Sequence, residues 1–164
     1  MVSNLTKSLT VFSETAYAEY GSALEMLAAA KIAETPGLAS GYFYHAKDEY
    51  NHAKTFLELL GEKANGIDSL EARKFRFSSK AVLMKGYVSK KGYLVETMTK
   101  KRFVAFVYTN ELLAKNSFER IRKLVGMNST NGIKIKSIML DELTHHGMAK
   151  EHFLRFYPEW QLKV

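Results

Sequence analysis

Asp141-Glu142-Leu143-Thr144-His145 repeats the pattern of Asp48-Glu49-Tyr50-Asn51-His52. Both read Asp-Glu-x-x-His, and both lie within long stretches of helical periodicity. A Glu and a His three residues apart on a helix project from one face, on neighbouring turns. A carboxylate oxygen and an imidazole nitrogen can then ligate the same metal ion. One such pair arises often by chance in a charged helix. Two copies, with acidic helices before and between them, make a pattern. A four-helix bundle can build a dimetal site from one Glu on each of two helices and a Glu-x-x-His on each of the other two. This chain contains the full set.

Working outward from the two motifs, the spacing of apolar residues predicts four long helices, over about 5–33, 36–60, 92–125 and 133–156. The first carries Phe12, Ala16, Glu19, Ala23, Met26 and Ala30 on one stripe, at intervals of three and four. Thr35-Pro36 reads as the cap and first position of the second helix, and Gly61 as its stop. The stripe of that helix is Tyr42, Ala46, Glu49, His52, Ala53, Phe56 and Leu60. The third helix has Val104, Val107, Tyr108, Glu111, Ala114 and Phe118, and ends before Gly126. The fourth has Ile135, Ile138, Met139, Glu142, His145, Ala149 and Phe153, and stops before Pro158. Between the second and third, Phe75-Arg76-Phe77 suggests a brief extended piece and Ser78-Ser79 a helix cap. The fold expected is all-α: one domain of two helical hairpins joined by a long crossover.

The anomaly lies in the stripes. Glu49, Glu111 and Glu142 interrupt faces that are otherwise apolar, whereas a solitary helical Glu is ordinarily solvated. Several buried carboxylates without cations would cost many kcal/mol, and two metal ions would offset that cost. The candidate ligands are Glu19, Glu49, His52, Glu111, Glu142 and His145. Glu25 is an alternative to Glu19, and His146 to His145. Glu119 stands among Lys115, Asn116, Arg122 and Lys123 and marks a wet face. His45, one turn before Glu49, is read as structural. Asp48 and Asp141 each precede a ligand Glu. There a carboxylate could take the other ring N–H of a metal-bound histidine, fixing its orientation and raising its basicity. Tyr108, one turn before Glu111, could donate a hydrogen bond or an electron, or serve as packing.

Composition bounds the rest. The 164 residues are 46% hydrophobic, enough for a real core. With no cysteine, disulfides, thiolate zinc sites and iron–sulfur clusters are excluded. Carboxylate-rich, two-histidine ligation favours iron, with manganese the alternative. The opening Met1-Val2-Ser3-Asn4 lacks the basic and apolar regions of a signal peptide, and no apolar run suits a membrane span, so a cytoplasmic protein is expected. Twenty-four Lys and Arg against 17 Asp and Glu leave a net charge of +7. That excess suits an anionic partner, nucleic acid or an anionic membrane surface. Lys85, Lys90, Lys91, Lys100, Lys101 and Arg102, interleaved with Tyr87, Tyr93 and Phe103, would form the binding face.

From Phe12 to Phe156 the chain resembles the ferritin-like dimetal-carboxylate superfamily, and within it several strings resemble the demethoxyubiquinone hydroxylase family. These are Glu19-Tyr20-Gly21-Ser22-Ala23, the run Glu49-x-x-His52-x-x-Thr55-Phe56-x-x-Leu59-Leu60, and Asp141-Glu142-Leu143-Thr144-His145-His146. The resemblance implies a ferritin-like four-helix bundle, two iron ions and O2 as co-substrate. It favours Glu19 over Glu25 and His145 over His146, and implies that each Asp bridges to the histidine on the opposite motif helix. A histidine usual shortly after the third-helix Glu in that family is replaced here by the neighbourhood of Asn116 and Ser117. The function expected is a diiron hydroxylase, monooxygenase or oxidase of a small apolar substrate, served by an electron donor. The alternatives are a ferroxidase or iron-handling protein and a tRNA-modifying diiron hydroxylase. The short tail after Pro158 and the long connection from Gly61 to Gly92, with aromatics that could line a pocket mouth, favour chemistry over storage.

Overall fold

The computed structural model describes residues 4–64 and 91–161. The expected extended piece at Phe75-Arg76-Phe77, the cap at Ser78-Ser79 and most of the crossover lie outside them. Every regular element among the described residues is helical. They are α1 (Asn4–Lys31), α2 (Pro36–Ala64), α3 (Leu94–Thr97), α4 (Lys100–Val125) and α5 (Thr130–Phe156), followed by a 3-10 turn at Pro158–Trp160. None of these helices is long and apolar enough to cross a membrane. The chain divides into two compact units, Met1–Leu94 and Val95–Val164, each built on a helical hairpin.

In the first unit α1 packs along α2. Their shared core is Phe12, Ala16, Ala23, Met26 and Ala29 from α1, with Ala46, Ala53, Phe56, Leu59 and Leu60 from α2. Ala29 is buried where the three-and-four spacing pointed to Ala30, which is half-buried. The small residues let the helices approach, and Phe12 meets Phe56 with ring centroids 6.5 Å apart. Thr35 accepts a hydrogen bond from the Leu38 amide at the start of α2. The helix does not stop at Gly61 but continues to Ala64. A Cβ at Gly61 would meet nothing within 4 Å, so this glycine is solvent-facing helix rather than a cap.

In the second unit α4 packs along α5, burying Phe103, Val104, Val107, Phe118 and Ile121 with Ile135, Ile138, Ala149 and Phe153. The entry to α4 differs from the pattern. Gly92 has φ 116, a backbone turn that glycine adopts freely. The short α3 follows, and Thr99 then caps α4, its side chain accepting from the Arg102 amide. The turn out of α4 is tightly specified. Gly126 has φ 93, and Ser129 caps α5 by accepting from the Gly132 amide. A Cβ at Gly132 would lie 2.1 Å from the Gly126 carbonyl oxygen, so only glycine fits there.

Candidate metal centre

All six expected ligands are buried. Glu19 is 7% exposed, Glu49 and His52 3%, Glu111 4%, Glu142 1% and His145 3%. Charged side chains are almost never this buried unless paired, and here the helical stripe puts them there. Each Glu has at least one core residue three or four positions away: Ala16 and Ala23 for Glu19, Ala46 and Ala53 for Glu49, Val107 for Glu111 and Ile138 for Glu142.

In the first unit, His52 Nδ1 lies 3.3 Å from Glu19 Oε2. Glu19, Glu49 and His52 each bring a ligand atom to within 4.8 Å of the others. On the same face of α2, His45 Nε2 stands 2.9 Å from Glu49 Oε1, both side chains buried. Glu25 is buried as well, but its Oε2 accepts a hydrogen bond from the Leu94 amide at 2.8 Å, at the start of α3. Glu19 therefore stands beside the motif histidine, and Glu25 holds a chain segment. Tyr42, half-buried one turn below His45, has its phenol pKa raised by burial.

In the second unit, His145 Nδ1 is 3.9 Å from Glu111 Oε2 and 4.0 Å from Glu142 Oε1. Its neighbour His146 is only half-buried and stacks on Tyr108, ring centroids 5.2 Å apart. Burial, with Lys115 and Lys150 adding to it against Glu111, holds the His146 pKa below the usual histidine value. Tyr108 is sandwiched between His146 and Phe153, the latter at 4.7 Å. Its ring packs this side of the hairpin. Asp48 and Asp141 are half-buried, each beside its ligand Glu in sequence.

Donor set and spacing fit a metal. Two adjacent donors on one six-coordinate ion, with bonds of about 2.1 Å, stand about 3.0 Å apart. The pairs at 2.9 and 3.3 Å in the first unit already have that separation. Two buried His/Glu groups are therefore able to hold metal ions.

Of the basic residues, Lys91, Lys100, Lys101 and Arg102 are exposed, and Lys90, Lys85 and Tyr87 lie outside the described residues. Phe103 is 1% exposed and belongs to the core, not to a binding face. Three cations in the first turn of α4 oppose the helix dipole. Lys101 Nζ instead sits 4.3 Å from the Tyr157 ring centroid and Lys100 Nζ 5.7 Å from that of Phe156. Tyr157 also donates to the Lys101 carbonyl at 3.3 Å.

Neither a protein-family model, nor a curated protein, nor a solved structure matches the chain.

Proposed function

We propose that the chain is a non-haem diiron protein that activates oxygen, a hydroxylase, monooxygenase or oxidase of a small apolar substrate. The observation that carries the reading is the same in both hairpins: each buries a lone Glu with a Glu-x-x-His, in stripes otherwise apolar. Glu19, Glu49 and His52 of the first hairpin and Glu111, Glu142 and His145 of the second would hold the two ions.

When bound, two ferrous ions supply electrons for the reduction of oxygen, and an external donor restores them. The protein's own part is binding, orientation and exclusion of water. Four carboxylates neutralise the charge of the ions, and the apolar stripes around them keep bulk water away. Asp48 and Asp141 would each accept the N–H of a metal-bound histidine, which would fix the nitrogen that faces the metal. Tyr108 packs behind His146 and steadies the α4–α5 face.

Anaerobic ferrous loading followed by exposure to oxygen tests this reading. Iron should load to about two per chain and stop, with oxygen consumed in step. Progressive uptake to tens of irons, with a growing ferric mineral absorbance, would replace the enzyme by a storage protein. No ferrous binding at all would end the metal reading.

A further inference from the structure

We infer that His45 is a third imidazole ligand of the metal pair, joining His52 and His145. This inference rests on the dimetal reading above and adds to it a donor that the Glu-x-x-His pattern does not contain.

The argument is local to α2. His45, Glu49 and His52 stand at i, i+4 and i+7, which at about 100° per residue keeps all three within an arc of about 60°. Glu49 thus has a histidine one turn away on either side. His45 Nε2 and Glu49 Oε1 are 2.9 Å apart, the separation of adjacent donors on one ion, and their side chains are 8% and 4% exposed. If Glu49 served both ions, each would need a further donor. On the C-terminal side His52, with Glu19, provides it. On the N-terminal side the nearest donor along the helix is His45. Three imidazoles divided between two ions would leave the ions with unequal nitrogen donation.

The competing role is a hydrogen bond that merely orients Glu49. The two roles separate on His45→Gln, whose amide can still donate to Glu49 but is a poor ligand. The cobalt(II)-loaded protein serves as the probe, since cobalt binds nitrogen and oxygen donors and shifts the proton resonances of its ligands. Each ligating imidazole carries one N–H on its other nitrogen. The wild type should show three hyperfine-shifted, solvent-exchangeable resonances and H45Q two. H45Q and H45A should also weaken one of two cobalt-binding steps, by more than the roughly 10–100-fold that loss of a supporting hydrogen bond costs. Two resonances in the wild type, or wild-type affinity in H45Q, would overturn the assignment while leaving the dimetal reading standing. A wild type that binds no cobalt would instead remove both. Should H45Q fail to fold, the wild-type resonance count decides alone.

Discussion

The α1–α2 and α4–α5 hairpins carry the same residue pattern and hold it differently. In both, the carboxylates stand at a similar depth. Glu19, Glu49, Glu111 and Glu142 lie 12, 13, 14 and 12 residues from the helix end nearest the turn, or about 18–21 Å along the axis. Yet the donor pairs of the first hairpin are at 2.9 and 3.3 Å, and those of the second at 3.9 and 4.0 Å. The first is set for an ion, whereas the second must close by about 1 Å to reach adjacent-donor spacing. Helical periodicity thus determines which side chains turn inward. How closely they meet is decided by side-chain conformation within a helix, as for His45–Glu49 and His145–Glu142, and by the packing of the two helices for His52–Glu19 and His145–Glu111.

The largest effect should come from removing the carboxylate of an Asp-Glu-x-x-His motif. Glu49→Ala and Glu142→Ala should each abolish binding of the metal pair. Glu119→Ala should change nothing, since Glu119 pairs with Lys123 at the exposed surface. If the closer spacing of the first hairpin matters, E142A should retain more residual binding than E49A in calorimetric titration. Full binding by E142A would detach the second hairpin from the site.

Next in size, Asp48→Asn and Asp141→Asn should preserve helix content and weaken metal affinity by roughly 10–100-fold. The same loss in both would make the hairpins equivalent in support even though they differ in spacing. Wild-type affinity in both would return these residues to the helix surface.

The glycines should respond with opposite sign. Gly132→Ala forces a methyl into the Gly126 carbonyl and should destabilise the protein by about 1–3 kcal/mol. Gly61→Ala, in open helix, should stabilise by about 0.5–1 kcal/mol. Thermal melts of the two variants decide this, and a stable G132A would mean that the turn yields where Gly132 meets the Gly126 carbonyl.

Smaller still, neutralising Lys90, Lys91, Lys100 and Lys101 should flatten the salt dependence of binding to RNA or to anionic vesicles. Absence of binding to either partner leaves the charge as a solubility feature.

The smallest effect concerns pH. Burial, aided by Arg155 and Lys100, lowers the His152 pKa below 6.5. Below about pH 6.5 the unfolded chain therefore binds more protons at this site than the folded one, and stability falls as pH drops toward the folded value. His152→Gln should reduce that slope in denaturant melts between pH 7 and 5. An unchanged slope would place the acid sensitivity elsewhere, in the first hairpin among other places.

The helical class and the inward stripes were legible because burial recurs every three or four residues, and an acid within such a stripe stands out. Three features were not legible. The start of α4 at Lys100 is hidden by lysines, which favour helix and leave no break in composition, so Gly92 drew the boundary eight residues early. Glu25 is buried by a contact with Leu94, 69 residues away in the chain, and no local pattern encodes that. Phe103 alternates with basic residues and reads as a surface aromatic until α4 turns it inward. His45 lay in plain view but had no place in the Glu-x-x-His pattern, and only its 2.9 Å approach to Glu49 distinguishes it.

Gly132 bears on how this protein can change over time. Most helical hairpins tolerate insertions in their turns, since loop closure varies little with length. Here the backbone of α5 rests on that of the turn, so an added residue cannot be absorbed there without lifting Gly132 from Gly126. One residue of slippage would rotate α5 by about 100° and carry Glu142 and His145 off the inward face together. Variation in the α4–α5 turn is thereby coupled to the ligands some 18 Å away. Descendants of this sequence that vary the length of that turn should be those that have also abandoned the second Asp-Glu-x-x-His.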